Sequence, residues 1–345
     1  MVTTTNVLKE VWIEENDLFF QDFSPDGKYS FLFESYIFRG ERTEKFKKLL
    51  PTSLREDRNS IERLYGFANI SLDQDHPKEH PQYDFESFYQ LAELNVLMNF
   101  YRTANYKGLN LPDVSFFRKH SLEFIVSKNL LRNEIGDIWL PNQFLEVAAL
   151  AQHYGLPTRL IDWSKDLYTS LYFASSGALH SDDDSKYMVL YALNYVVIEE
   201  YKYTTKRIPL RLIVPEHYKN QNLNYQRGIL SAWEYQTSDN TFSIFKPLIN
   251  TKSLEVLLQE YIDRHNISWG FVNTDKEEPL IYKFYIPISM SLKIYNYLIK
   301  IDYGANRLFS GFEGISQMLK DNLAYNKKYK KIQRYKDSPD AMNDL

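Results

Sequence analysis

Between Ala151 and Ala174 the chain reads AQHYGLPTRLIDWSKDLYTSLYFA, which sets Gln152, His153, Arg159, Asp162 and Ser164 close together in an otherwise apolar frame. Hydrophobic packing alone favours fewer hydrogen-bonding groups, because each buried one must find a partner. Two arrangements satisfy them. In the first they line a pocket, with Gln152 and His153 offering hydrogen bonds to a bound molecule while Tyr154, Trp163 or Tyr168 stacks on a ring. In the second they form a self-satisfied network that staples a helix to a strand. Asp162 beside Arg159 is a candidate charged group for catalysis, and the same pair also reads as an ion pair fixing the strand-to-helix turn. Upstream, Phe38-Arg39-Gly40 puts Arg39 at the close of an apolar strand, either as an anion clamp or as a solvated arginine at a turn. Downstream, NYQRGILSAWE carries Gln226, Gly228 and Glu234 along a strand.

Other chemistries find no residues to support them. The chain of 345 residues has no cysteine, which removes disulfide scaffolds, thiolate zinc sites and cysteine nucleophiles and points to a reducing compartment. Its seven histidines form no His-Glu-x-x-His pair, so no metal is expected. Gly311 to Gly314 lacks the Lys-Ser or third glycine of a phosphate loop, and a serine-hydrolase elbow is absent. Hydrophobic residues at 44%, charged at 25% and a net charge of -4 describe an ordinary globular protein. The opening MVTTTNVLKEVWIEEND has no basic region followed by an apolar run, and no window reaches membrane-spanning length, so the expected location is cytoplasmic with no membrane partner.

The elements that must position these groups follow from periodicity. YSFLFESYIFRGER reads as a strand ending at Arg39-Gly40, with Gly40 marking the turn, and TEKFKKLL as helical. IERLYGFANI and YDFESFYQLAELNVLMNFYRTA continue with helical spacing around a polar, proline-bearing loop at 71–82. Asn142 caps a helix through QFLEVAALAQHYG, which Gly155 and Pro157 end. TRLIDW is a short buried strand, and Ser164 caps the helix after it. YMVLYALN, RIPLRLIVP, YQRGILSAWEYQ and LIYKFYIPIS are further strands, with helices at SLEVLLQEYIDRH and EGISQMLKDNL. Grouped helices and grouped late strands make the class α+β. The tail carries Lys327, Lys328, Lys330, Lys331 and Arg334 among tyrosines, a run that is either a solvated helix end or a grip on a nucleic-acid backbone.

Phe38-Arg39-Gly40 together with AQHYGLPTRLIDWS and SLYFA resembles the bacterial FRG domain, and the likeness extends through YQRG to ANRLFSGFEGISQMLK, where Ser310 stands for an expected proline. The resemblance implies an FRG domain over about 29–320, with a helical insertion at about 60–140, an N-terminal segment 1–28 and a basic tail 321–345. It further implies a split β-sheet core similar to that of ADP-ribosyltransferases, with NAD as substrate. In that superfamily an arginine on the first strand holds the NAD phosphates or the nicotinamide ribose; Arg39 matches it by position. Residues 158–174, bracketed by Thr158 and Ser164, match the pocket floor. Gln226 falls where a glutamate contacts the ribose. Glutamine brings no charge to a transition state that develops positive charge on the sugar. Either Asp162 or Glu234 then supplies the carboxylate, or catalysis is weak or absent. The implied activity is ADP-ribosyl transfer to a macromolecule, or NAD hydrolysis, by a toxin or phage-defence effector with an antitoxin as counterpart. Two alternatives stand beside it: a non-catalytic nucleotide- or nucleic-acid-binding module, and a nuclease-like toxin.

Overall fold

The structure is a computed structural model, and it describes residues 6–46, 49–55, 60–69, 85–119, 138–182, 184–215, 225–236, 252–267 and 278–336. Its strands are β1 (Leu8–Trp12), β2 (Tyr36–Glu41), β3 (Ile138–Trp139), β4 (Ile161–Ser164), β5 (Tyr187–Asn194), β6 (Leu210–Ile213), β7 (Gly228–Trp233), β8 (Tyr235–Gln236) and β9 (Ile281–Pro287). The longer helices are α1 (Ser60–Ala68), α2 (Phe85–Tyr106), α3 (Asn142–His153), α4 (Leu167–Leu179), α5 (Tyr195–Tyr201), α6 (Leu254–His265), α7 (Ser291–Lys300) and α8 (Gly311–Lys336).

A seven-stranded sheet in the order β1-β9-β5-β2-β4-β7-β6 forms the spine, and β3 pairs with β8 in a separate ribbon. Only β1 with β9 is parallel among the pairings of the main sheet; the rest are antiparallel. The class is therefore α+β, as the grouped helices and strands predict. The N-terminal segment contributes β1 to an edge of this sheet.

The two-residue alternation of the strands sorts the core into faces. Phe38, Met188, Leu190, Ala192, Phe284 and Ile286 point to one side, where α4 and α7 cover them. Ile37, Val189, Tyr191, Leu193, Ile281 and Tyr285 point to the other, beneath α5 and α6. A third cluster joins Leu94, Leu97, Met98 and Tyr101 of α2 to Phe116 and Phe117, then to Phe144 and Val147 of α3 and Leu230 of β7. The helical insertion thus packs on the β7 end of the sheet, while the 71–82 stretch lies outside the described residues.

Several local expectations are corrected by tertiary context. Residues 32–35 form a short helix, so β2 starts only at Tyr36. Gly40 is mid-strand and paired with Leu190, and no turn falls there. A Cβ on Gly40 would lie 1.8 Å from the Ser170 carbonyl oxygen, so glycine is required for the close approach of α4 to β2 and not for bending the chain. The described part of the 43–50 stretch is not helical. Pro141, not Asn142, is the N-cap of α3, and Asn142 accepts a 2.8 Å hydrogen bond from Arg211 instead. The cap of α4 is Asp166, whose carboxylate accepts from the Tyr168 and Thr169 amides; Ser164 sits two residues earlier and accepts from the Asp166 amide at 2.9 Å. No helix among the described residues is long and apolar enough to cross a membrane.

Candidate active site

The strands that flank the FRG tripeptide are joined unequally. β2 pairs with β5 along all six of its residues, yet meets β4 at one residue pair, Phe38 with Ser164. Past that rung β2 and β4 part, and the sheet, although continuous, is nearly divided there, where a fully split sheet was expected. A cleft of about 420 Å³ opens at the seam. It takes Phe38 and Gly40 from one face of β2 and Arg39 and Glu41 from the other, with Asp162 to Ser164 of β4 opposite. Gln152 and His153 at the end of α3 form one wall, and Ser170, Phe173 and Gly177 of α4 form another. Gln226, Phe309 and Glu313 close it from the C-terminal side.

Arg39 is the hub of the floor. Its Nε donates to Glu41 Oε1 at 2.8 Å, its Nη2 lies 2.7 Å from the same oxygen, and its Nη1 donates across the seam to the Asp162 carbonyl oxygen at 2.9 Å. The Asp162 carboxylate stands 3.7 Å from Nη1. Burial would lower the Arg39 pKa, but Glu41 and Asp162 outweigh it and raise it. Arg39 is therefore not a free clamp waiting for an anion, since its guanidinium is engaged on both sides. Glu41 also receives Arg55 Nη2 at 2.7 Å. Burial pushes the Glu41 carboxyl up, Arg39 and Arg55 pull harder the other way, and it rests below the ordinary glutamate value.

Asp162 differs from Glu41 in exposure. Its side chain is 55% exposed against 10% for Glu41, so one carboxylate faces the cleft and the other is enclosed. Gln152 Nε2 donates to Asp162 Oδ1 at 2.5 Å, and Thr158 donates to Gln152 Oε1, which fixes the amide with its NH₂ toward the carboxylate. Thr158 is buried and acts only through Gln152. Burial lowers the His153 pKa below its ordinary value despite the opposing pull of Glu313 and Asp162, which favours the neutral imidazole.

The cleft thus brings together Arg39, Gln152, His153, Asp162, Trp163, Ser164 and Gln226. Three of these are committed to the frame. Trp163 donates its indole N–H to Ser231 at 2.9 Å, the Gln226 side chain donates to the Leu308 carbonyl oxygen at 3.0 Å, and the Ser164 hydroxyl donates to the Gln226 main-chain carbonyl oxygen at 2.6 Å.

The remaining candidates lie elsewhere. Arg159 does not pair with Asp162; it forms a buried ion pair with Glu93 of α2, whose Oε2 also accepts from the Trp139 indole at 2.8 Å. Arg159 lies in a bend ahead of β4, and the insertion supplies the nearer carboxylate. Glu234 is held by Arg207 and Arg211 outside the cleft lining. Tyr154 is 69% exposed, and Tyr168 packs edge-on against Tyr303. Of the basic tail, Lys328 caps the end of α4 by donating to the Ala178 and Ser181 carbonyl oxygens, Lys327 and Lys330 are exposed, and the side chains of Lys331 and Arg334 lie outside the described residues.

Sequence reasoning missed Glu41, Arg42, Phe46, Phe173, Phe309 and Glu313 at this cleft. Glu41 carried a usable signal, since a residue two places from Arg39 on a strand shares its face. Glu313 carried none, because its approach depends on where the C-terminal helix docks. Among the described residues no group of three or more His, Asp or Glu side chains is placed to hold a metal ion.

No curated protein and no solved structure matches the chain. The model of one family does, over residues 34–183, a stretch that holds β2, α3, β4 and α4 but stops short of Gln226 and Glu313. Residues 34–183, which place Phe38, Arg39 and Gly40 at the seam and press α4 onto Gly40, are the stretch that matches the model of the FRG domain.

Proposed function

We propose that the cleft binds NAD and breaks its nicotinamide–ribosyl bond, passing the ADP-ribosyl group to a macromolecule or to water. The observation that carries this reading is Asp162, a cleft-facing carboxylate held by Gln152 on one side and Arg39 on the other. Departure of nicotinamide leaves positive charge on the ribose, and a fixed carboxylate stabilises it where water is partly excluded. Glu41 suits this task poorly because two arginines already neutralise it, and Glu234 is outside the cleft. Gln226 is occupied with Leu308 and supplies no charge. The cleft volume falls in the range of small-molecule and cofactor sites, roughly 300–1,000 Å³, and Phe173, Phe309 and His153 offer apolar and hydrogen-bonding walls for a planar carboxamide ring. The near-division of the sheet between β2 and β4 supports the expected likeness to ADP-ribosyltransferase cores. On this reading the chain is a cytoplasmic effector, a toxin or phage-defence protein, with an antitoxin as counterpart.

The test is nicotinamide release from NAD by the purified chain. Asp162→Asn should reduce the rate by about 100-fold or more, the scale for losing one electrostatic stabiliser, with the melting temperature unchanged. Undiminished release from that variant would remove Asp162 from the mechanism. A second reading, a nucleotide-binding module without catalysis, is favoured by the charge-free Gln226 and by the engagement of Arg39 with Glu41. Heat of NAD binding without nicotinamide release under any acceptor would select it.

A further inference from the structure

The C-terminal helix α8 carries an apolar stripe that the cleft does not use and that has no partner among the described residues. Phe312, Ile315, Leu319 and Leu323 are 90%, 50%, 61% and 58% exposed. At 3.6 residues per turn they fall within about 80° of one another on the helix surface. The opposite side of α8 is already employed: Asp321 is fully buried and receives Tyr172 OH at 2.5 Å and Gln317 Nε2 at 2.7 Å, with His180 Nε2 at 2.7 Å beside it. The exposed stripe is thus a second apolar face on a helix whose first face is satisfied, which marks an interaction site.

Charge decides what fits there. Lys320 and Lys327 run along one flank of the stripe, and Lys330 continues it toward the C-terminus. Leu323, Lys320, Lys327 and Lys328 also border an open groove of about 330 Å³ against His180 and Asp182 past the end of α4, so three lysines face one carboxylate there. An occupant must present apolar residues to the stripe and negative charge to this groove. At its other end the stripe begins at Phe312, next to Phe309 and Glu313 on the cleft wall.

We propose that α8 docks an amphipathic helix of a partner protein, with leucine-like residues on one face and carboxylates along its flank, in the manner of helix-in-groove recognition. The stripe spans roughly 16 Å from Phe312 to Leu323 at 1.5 Å per residue. A helix of about three turns therefore covers it, and its end reaches the rim of the cleft. This surface is distinct from the residues assigned to NAD, and its occupancy is read without NAD.

The probe is a fluorescent synthetic helical peptide with leucines at i, i+3 and i+4 spacing and glutamates on the flank, titrated against the full chain by anisotropy. Its counterpart carries lysines in place of the glutamates. The acidic peptide should bind at least about ten-fold more tightly, with affinity falling as salt rises. Leu319→Asp and, separately, the Lys320→Glu/Lys327→Glu pair should each weaken it by at least about ten-fold. All three positions are exposed, and an unchanged circular dichroism spectrum verifies that the variants fold. Equal affinity for both peptides, or binding by neither, would overturn the proposal. So would a concentration-dependent dimer in sedimentation that Leu319→Asp abolishes, since the stripe would then belong to a second copy. Flotation of the chain with anionic phospholipid vesicles, lost in the same variant, would assign it to a membrane surface instead and equally defeat the proposal.

Discussion

Arg159 and Asp162 stand three residues apart on the same strand-forming stretch and serve opposite purposes. Around Arg159 the polar groups close on themselves: Glu93 meets the guanidinium, Trp139 shares the carboxylate, and both charged side chains are almost fully enclosed. Around Asp162 they stay open, with Gln152 and Arg39 holding a carboxylate that faces the cleft. The staple and the pocket lining, which the sequence allows as rival accounts of this polar-rich segment, are both present, one just ahead of β4 and one within it. A buried ion pair is a poor source of stability but an expensive thing to break. The open cluster inverts this at Asp162 alone: its carboxylate faces the cleft and matters little to the fold, while Arg39 and Gln152 are held by their own partners.

Substitutions should separate the two clusters, most widely at the staple. Arg159→Met leaves Glu93 as an uncompensated buried charge and should destabilise the chain by about 3–5 kcal/mol, read as a fall in the urea midpoint. An effect below about 1 kcal/mol would mean that the pair is solvated and the contrast false. Gly40→Ala comes next, because its methyl meets the Ser170 carbonyl oxygen; pushing α4 off β2 should cost about 1–3 kcal/mol as overpacking does and should widen the cleft.

Arg39→Met sits between the extremes, since Arg39 belongs both to the cleft and to the Glu41–Arg55 chain. Loss of its charged hydrogen bonds should cost about 1.5–3 kcal/mol and should also move the acid transition. In the native chain Glu41 is depressed below its unfolded value, so its contribution is fully present above the ordinary glutamate range and disappears as pH falls through the lower folded value. Without Arg39 the folded value rises, and the acid-unfolding midpoint should shift to higher pH. A midpoint that stays in place would show that Arg55 alone holds Glu41. Asp162→Asn should have the smallest effect on stability, within about 0.5 kcal/mol for an exposed polar replacement, although it removes the charge on which the proposed chemistry depends.

Much of the frame was legible from local pattern. Alternation along YMVLYALN and LIYKFYIPIS marks strands of a two-faced sheet, and the breaks at Gly155 and Pro157 end α3 as helix chemistry requires. The pocket half of the opening stretch was legible too, because Gln152, Asp162 and Ser164 belong to neighbouring elements. What local pattern could not reveal were contacts made over long sequence distances. Glu93 reaches Arg159 from the helical insertion, and Ser170 meets Gly40 from a helix laid across the strand. In both cases the residue type was noticed and its partner was not, so Gly40 read as a turn and Arg159 as the mate of Asp162.

The single rung between Phe38 and Ser164 has a further consequence. With so little ladder bonding the β1-β9-β5-β2 half to the β4-β7-β6 half, cohesion across the midline rests on side chains: α4 on one face, the shared cluster of Ile37, Tyr191, Ile161, Trp163 and Ile229 on the other, and the reach of Arg39. A small molecule lodged between the halves would serve as a further cross-tie, and ligand binding would then raise the stability of the two halves together.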